Sequence, residues 1–186
     1  RTLVTYLQGI LFMQKILYLP DSAVDAALDL ELRELLSTCF TKPQDAVFKE
    51  RRYFAQPPAH RWMIRSPEGK LVAHIAVHER QIEAGAWVAS VGGIAEVCVH
   101  PEARGQGLAK LLLDEIHVTL TQRGVFFTAL FGSRSIYASS GYTQPGNVSI
   151  GPGPDGKWQP VPELMVRPLT AAAWPAGDVR MPGPAF

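Results

Sequence analysis

The segment VCVHPEARGQGLAKLLLDEI, residues 97–116, determines how the chain is interpreted. Its first residues alternate like a strand that ends at His100-Pro101, and a short turn with two glycines and an arginine follows. A helix is then predicted from Gly107 to Arg123, with leucine and isoleucine at an i, i+4 spacing on one face. The sequence therefore places a glycine-rich loop between a strand and a helix.

A loop in this position suits an anionic ligand. The first N–H groups of a helix have no partners within the helix, and the helix dipole adds partial positive charge there. Gly105 and Gly107 allow positive φ and a close approach of the ligand, and Arg104 adds a charged donor. The loop fits neither common phosphate motif: Leu108 replaces the P-loop lysine, and Lys110 replaces the last glycine or alanine of the dinucleotide fingerprint. A tight turn without a ligand is the alternative.

The composition restricts the class of protein. Of the 186 residues, 47% are hydrophobic and 19% charged, which is typical of one globular domain that buries a core. The formal net charge of +1 predicts no broad basic face, so nucleic acid is disfavoured as a partner. Cys39 and Cys98 lie far apart in apolar surroundings, which suits reduced thiols in the cytosol better than a disulfide.

The apolar segment at residues 1–20 is interrupted by glutamine and lysine and has no small-residue cleavage pattern. It is too broken to span a bilayer comfortably. We therefore expect a soluble, cytoplasmic protein with no membrane partner. Residues 1–12 are predicted to be an N-terminal extension, residues 13–170 the domain, and residues 171–186 a tail that packs on the domain.

The alternation and helical periodicity predict one mixed α/β domain. Strands are expected at 15–20, 60–66, 71–80, 87–99, 124–131 and 164–169, and helices at 21–39, 44–52, 107–123 and 133–142. Gly92-Gly93, inside the fourth strand, predicts a bulge or a close approach of another part of the chain. Residues 146–163, rich in proline and glycine, are predicted to form a loop before the last strand.

The hexapeptide Arg104-Gly105-Gln106-Gly107-Leu108-Ala109 resembles the Q/R-x-x-G-x-G/A signature of the GNAT superfamily of N-acyltransferases. A V-x-V-x-P strand before it and IYASSGY after it stand where the family has such segments, so the resemblance covers about residues 60–145. It implies a single GNAT-fold domain. Such a domain has a central mixed, mostly antiparallel twisted sheet, flanked by helices and splayed between the fourth and fifth strands.

The resemblance also implies an acyl-CoA, usually acetyl-CoA, as co-substrate and an amine as acceptor. Backbone N–H groups of Arg104, Gly105, Gln106, Gly107, Leu108 and Ala109 would hold the pyrophosphate, and Val97, Cys98 and Val99 would lie along the pantetheine arm. The N–H of Val97 would polarise the thioester carbonyl. Family members are often dimers, so the resemblance allows a homodimer.

Two residues are candidates for the proton transfers. Tyr137 stands where family tyrosines donate to the departing sulfur, and a core tyrosine at a helix–sheet contact is the alternative. Glu96 lies beside the cleft, where a glutamate could accept the ammonium proton through water. Its alternation partners, Ile94 and Cys98, would point it away from the cleft unless the strand has a bulge. A structural hydrogen bond or acceptor binding is then its alternative role.

Three residues are candidates for the acceptor side. His74 and His78 lie four positions apart in an alternating segment, and no third ligand has matching spacing, so metal is disfavoured and an acceptor-side histidine pair is predicted. Asp178 lies in WPAGDV, which resembles the end of aminoglycoside 2'-N-acetyltransferases, whose tail contributes to the acceptor site. Residues 60–107 resemble NodA-type N-acyltransferases equally, so neither subgroup is assigned. A tail that only covers the sheet edge is the alternative.

We therefore expect an N-acetyltransferase that uses acetyl-CoA and no metal. It would acetylate a primary amine of a small molecule by direct transfer in a ternary complex. Two alternatives are transfer to a protein or peptide amine and a non-catalytic sensor domain that binds acyl-CoA.

Overall fold

A nine-stranded sheet is the frame of the molecule, seen in a computed structural model that describes residues 15–186. Its strands are β1 (Ile16–Pro20), β2 (His60–Arg65), β3 (Leu71–Ala84), β4 (Trp87–Val99), β5 (Phe127–Phe131), β6 (Val148–Gly151), β7 (Gln159–Pro160), β8 (Leu164–Pro168) and β9 (Val179–Pro182). The helices are α1 (Ala26–Cys39), α2 (Leu108–Gln122) and α3 (Arg134–Tyr137). The predicted N-terminal extension, residues 1–12, lies outside the described residues.

The sheet is mixed and mostly antiparallel, as the sequence predicts. Its order is β7-β6-β9-β3-β4-β5-β8, and β2 and β1 extend it from β3. Only β4–β5 and β6–β9 are parallel among the described pairs. The β4–β5 pairing runs from Val91 and Phe127 to Ile94 and Leu130, while β4 continues to Val99. The fourth and fifth strands therefore separate beyond Ile94.

The start of α1 differs from the prediction. The sequence allows Asp21 or Ser22 as its cap, but Asp25 is the N-cap, and its side chain accepts from the N–H of Leu28 at 2.8 Å. Asp21 begins a short 3₁₀ turn instead, and its carboxylate is bound by arginine side chains. The predicted second helix is also a 3₁₀ helix, Pro43–Lys49. The first difference arises because Arg52 and Arg61 bind the carboxylate of Asp21, which is then not free to cap the helix.

The sheet separates apolar cores on its two faces. The apolar stripe of α2 covers one face, and α1 covers the β1–β3 end of the other. A third cluster, from β4, β5, β6, β8 and β9, fills the remaining end of that second face. Within residues 15–186, every helix is too short or too polar to span a lipid bilayer.

The last third of the chain contains three strands that the sequence analysis missed. Residues 146–163, predicted to be a loop, contain β6 and β7. Residues 171–186, predicted to be a tail that packs on the domain, contribute β9 to the sheet, between β6 and β3. These strands have two to four residues and are flanked by proline and glycine, so too few positions alternate for the pattern to be detected.

Gly92 and Gly93 mark a close approach of other segments to β4, one of the two alternatives predicted. A Cβ on Gly92 would lie 2.6 Å from Leu120 Cδ1 of α2. A Cβ on Gly93 would lie 3.0 Å from the ring of Phe186 on the opposite face. The absence of side chains at these two positions therefore lets α2 and the chain beyond β9 pack onto the strand.

We expect Gly92→Val to lower the free energy of unfolding by about 1–3 kcal/mol, because the added atoms would overlap Leu120 in a filled core. Urea unfolding followed by tryptophan fluorescence measures the change. Gly177→Ala is the control, since its Cβ would meet no atom within 4 Å. That control should stay within about 0.5 kcal/mol of the wild type. Equal stability of Gly92→Val and the wild type would contradict the close approach of α2.

Candidate functional site

A β-bulge in β4 directs Glu96 to the face opposite α2. The pairing of β4 with β3 shifts by one residue between Ala95 and Cys98, and Glu96 lies in this shift with a φ of 52°. The residues on either side of the bulge therefore face opposite ways: Ile94 packs in the α2 core, and Cys98 packs under α1. Left-handed backbone is strained for a glutamate, and such strain is typical of functional sites.

A cavity of about 160 Å³ lies on this face, and Glu96 is one of the residues that line it. It separates the core under α1 from the cluster around β9. Its lining contains Glu96 and Ala95 from β4, His78 from β3, aromatic residues from the segment after α1, and Phe186. The bulge thus brings Glu96 to the lining of a cavity near the point where β4 and β5 separate, and its role there stays a prediction.

The carboxylate of Glu96 is nearly enclosed, with 6% of its side chain exposed. Its Oε1 accepts from the N–H of Phe54 at 3.0 Å, and its Oε2 lies 3.4 Å from Arg61 Nη1. Burial raises the pKa of Glu96 to about 7, although the charge of Arg61 acts in the opposite direction. A carboxyl group with a pKa near neutrality can both accept and release a proton under physiological conditions.

Arg61 connects Glu96 to a buried polar network. Its side chain is 0% exposed, and its Nε donates to Asp21 Oδ1 at 2.6 Å. Its Nη2 donates to the carbonyl of Arg52 at 2.9 Å, and its Nη1 lies 2.9 Å from His74 Nε2. Arg52 also pairs with Asp21, at 2.8 Å. The guanidinium behind Glu96 is therefore fixed from several directions and cannot swing away from the carboxylate.

His74 belongs to this network and not to the cavity wall, which corrects its predicted place on the acceptor side. It is 0% exposed, and its ring lies between Arg61 Nη1 and the carbonyl of Glu96, 3.1 Å from Nδ1. Because Arg61 donates, His74 Nε2 accepts and Nδ1–H donates to that carbonyl. Burial holds the pKa of His74 well below its usual value, so the ring is neutral.

His78 does line the cavity. Its ring lies 5.9 Å from that of Phe186, and burial together with the charge of Arg80 lowers its pKa to about 4. It is therefore neutral at physiological pH. Within residues 15–186, no group of three or more His, Cys, Asp or Glu side chains is arranged to hold a metal ion.

Tyr137 lies on the other face of the sheet from Glu96. Its ring is partly buried against the α2 core, as are Val97 and Val99. A Cβ on Gly132, just after β5, would overlap this ring, so the glycine makes room for it. Burial raises the pKa of Tyr137, so the phenol keeps its proton at neutral pH. The candidate acid and the candidate base thus lie on opposite faces, where β4 and β5 separate.

The glycine loop has the conformation that an anion site needs. Gly105 and Gly107 have φ of 75° and 74°, and Gly107 is the N-cap of α2 without a side-chain cap. A Cβ at either glycine would meet no atom within 4 Å, so the space in front of the loop is open. Arg104 is exposed, and its Nε donates to the carbonyl of Val99 at 3.2 Å. The N–H groups at the start of α2, from Leu108 onward, are therefore available to a phosphate.

Two other predicted site residues lie elsewhere. Cys98 is buried under α1, where its thiol is next to Cys39, so only its backbone is in reach of a ligand along β4. Asp178 is exposed just before β9 and is not among the described residues that line the cavity. The tail residue that lines it is Phe186. The role of Asp178 at the acceptor stays a prediction.

Sequence reasoning missed Arg61, Phe54 and Phe186. Arg61 did give a signal, because it is a charged residue at an inward position of the apolar segment HRWMIR. Phe54 and Phe186 gave none, since each reaches the cavity through contacts between segments that are remote in the sequence.

Comparisons with known proteins agree with this architecture. A family model described as an acetyltransferase (GNAT) domain matches residues 25–144, which contain the bulge, the glycine loop and Tyr137. No curated protein matches the chain in sequence.

Solved structures show the same fold at low sequence identity. YhbS, a GNAT family N-acetyltransferase from Escherichia coli in complex with CoA, has a TM-score of 0.63 and 19% identity, over 90% of this chain and 89% of that chain. A GNAT family acetyltransferase from Brucella melitensis in complex with acetyl-CoA has a TM-score of 0.60 and 16% identity, over 89% and 95%. A GCN5-related N-acetyltransferase from Anabaena variabilis has a TM-score of 0.54 and 20% identity. The match covers 71% of this chain but 33% of that longer chain.

We expect Asp21→Asn to destabilise the protein by about 3–5 kcal/mol, because it removes the closer of the two carboxylates that pair with buried Arg61. Denaturant unfolding measures the loss. Asp155→Asn is the matched control: this carboxylate is exposed and lies 3.6 Å from Lys157, a pair worth about 0–1 kcal/mol. Similar losses for the two variants would show that Arg61 does not depend on Asp21.

Proposed function

Because the chain belongs to the GNAT family of acetyltransferases, we propose that it uses acetyl-CoA to acetylate a primary amine of a small molecule. One observation carries the proposal. A buried glutamate with a raised pKa and a protonated tyrosine lie on opposite faces of the sheet, at the point where β4 and β5 separate. A gap between two strands, with a base on one side and an acid on the other, suits transfer between two substrates that enter from opposite faces.

The residues of the glycine loop and of β4 are suited to bind acetyl-CoA. The backbone N–H groups from Arg104 to Ala109 would bind the pyrophosphate at the start of α2, where Gly105 and Gly107 leave the approach open. The backbone of Val97, Cys98 and Val99 would bind the pantetheine arm along the part of β4 beyond its pairing with β5. When bound, acetyl-CoA supplies the acetyl group as a thioester. The structures of E. coli YhbS and of the Brucella melitensis enzyme hold CoA and acetyl-CoA, respectively, which supports this assignment.

Glu96 and Tyr137 would carry the two proton transfers. Glu96 accepts a proton from the acceptor ammonium, which frees the nitrogen lone pair. The nitrogen forms a bond to the acyl carbon as the carbon–sulfur bond breaks, and the N–H of Val97 donates to the carbonyl oxygen as charge develops there. Tyr137 donates its proton to the departing thiolate. The nitrogen loses its second proton to water as the amide forms, and water returns a proton to the Tyr137 phenolate. An ammonium and a thioester thus give an amide, a thiol and one proton, without a covalent intermediate on the enzyme.

The cavity favours a small acceptor over a peptide. At about 160 Å³ it would hold one compact amine, whereas a peptide substrate needs an open groove that accepts residues on both sides of a lysine. The free thiols of Cys39 and Cys98 suit a reducing cytoplasm as the place of the reaction.

We expect kcat/KM to rise with pH up to about 7 and then to level off, because Glu96 must lose its proton before it can accept one from the acceptor. Glu96→Gln should remove this rising limb and lower the rate by about 10²- to 10⁴-fold. The measurement is acceptor-dependent CoA release, followed with a thiol reagent between pH 5.5 and 8.5, roughly one to two units on each side of that pKa.

Glu115→Gln, an exposed change on α2, is the control for the pH profile and should leave it unchanged. His78 has a pKa of about 4 and so does not contribute to the limb. A limb that persists in Glu96→Gln would remove Glu96 from the role of base.

We expect Tyr137→Phe to keep acetyl-CoA binding and to slow turnover by about tenfold or more, since only the proton donor is lost. Gly107→Val should instead abolish acetyl-CoA binding, measured by calorimetry, because it places a side chain in front of the loop. Gly146→Val carries a similar positive-φ penalty, at 73°, outside the loop and should bind normally. Normal binding by Gly107→Val would overturn the assignment of the loop.

A further inference from the structure

We propose that the acceptor is a small monoamine with an aromatic or other apolar body and no anionic group. The inference rests on the proposed function and assigns the substrate class of the same site. It comes from the chemistry of the cavity that Glu96 faces.

Aromatic rings make up much of the cavity wall. Four of the eight phenylalanines of the chain line it: Phe40, Phe48, Phe54 and Phe186. Three of them form a continuous surface, with ring centroids 5.4 Å apart for Phe40–Phe48 and 6.2 Å apart for Phe48–Phe54. Phe186 lines the cavity next to His78 and packs with the separate apolar cluster around β9. A cavity lined by rings from two apolar clusters suits a flat, apolar body.

The charges in the cavity select for a cation alone. Its ionisable lining residues are Glu96, Asp45 and His78, and the last of these is neutral at physiological pH. No lysine or arginine is present among the described lining residues. A carboxylate or phosphate on the acceptor would therefore meet carboxylates and ring faces, since Arg61 and Arg80 lie outside the lining and are bound to Asp21 and to the carbonyl of Pro184. An ammonium group is favoured by the carboxylates, which have the opposite charge, and by the ring faces, which attract cations.

One ring of the aromatic wall, Phe54, is held next to Glu96 by a hydrogen bond. The backbone N–H of Phe54 donates to Glu96 Oε1, so the segment that carries this ring is held at the carboxylate. An acceptor whose apolar group packs against Phe54 thus places its amine near Glu96 when a short linker joins the amine to that group. Phe54 is 46% exposed, so its ring lies at the mouth of the cavity and contributes more to the acceptor contact than to the core.

The first test compares amines that differ in one respect at a time. Phenethylamine and free L-phenylalanine share one body and differ by a carboxylate. Putrescine lacks the aromatic body, and kanamycin is a large polar amine. With acetyl-CoA as donor, we expect kcat/KM for phenethylamine to exceed the other three values by at least about tenfold. Binding of phenethylamine to the protein–CoA complex is measured in parallel by calorimetry.

The second test removes one wall. Phe54→Ala keeps the backbone N–H that Glu96 accepts, and it should raise KM for phenethylamine about tenfold with little change for putrescine. Phe126→Ala makes the same change outside the cavity and should leave both KM values unaltered. Phe186→Ala should widen the cavity and increase the rate with tryptamine relative to phenethylamine.

The outcomes separate the two claims. Turnover confined to phenylalanine, putrescine or kanamycin would overturn the acceptor class and leave the acetyltransferase function standing. Binding of phenethylamine without turnover, while acetyl-CoA also binds, would support the cavity's preference and overturn the proposed function. Failure of phenethylamine both to bind and to react would overturn this inference. An equal effect of Phe54→Ala on phenethylamine and putrescine would do the same.

Discussion

The buried ion pair between Arg61 and Asp21 is the contact on which the site depends. It joins the turn after β1 to β2, and the same guanidinium reaches His74, the carbonyl of Arg52 and the carboxylate of Glu96. A buried cation is tolerated only where its N–H groups are bonded and its charge is compensated. Because every partner of Arg61 comes from a different segment, the network fixes those segments relative to Glu96. The raised pKa of Glu96 is thus a property of the surrounding fold, set by how far burial exceeds the attraction of Arg61.

The bulge in β4 gives one strand two functions. Up to Ile94, before the bulge, β4 pairs with β5. After the bulge, Val97 and Val99 face α2, and the edge of β4 that faced β5 is no longer paired with it. One additional residue therefore places Glu96 on one face and the edge for a ligand beside the other. A regular strand would have put Glu96 on the same face as Ile94, inside the α2 core. In the proposed mechanism, the bulge at Glu96 separates the side of the acceptor from the side of acetyl-CoA.

The sequence predicts most of what is local and little of what is tertiary. The loop from Arg104 to Ala109, the helix after it and the position of Tyr137 follow from patterns within a few turns of chain. The hydrogen-bond network of Arg61 does not follow from such local patterns, because its partners come from segments that are far apart in the sequence. Nor does the wall at Phe186, because β9 is a strand only by virtue of its pairing with β3 and β6. The error over His74 has the same origin: alternation predicts the face of a side chain but not whether another residue covers it.

The position of β9 has a consequence for how the molecule assembles. Arg80 and Pro184, joined by a hydrogen bond, are 104 positions apart in the sequence. Contacts between residues so far apart in the sequence form slowly, because closing a long loop costs chain entropy before the strand pairing compensates for that cost. Phe186 lies beyond β9, so we expect its side of the cavity at Glu96 to form only after the sheet has closed around that strand. The helix start that faces the cofactor is built from neighbouring residues and needs no such closure. We therefore expect the cavity at Glu96 to be completed later in folding than the glycine loop.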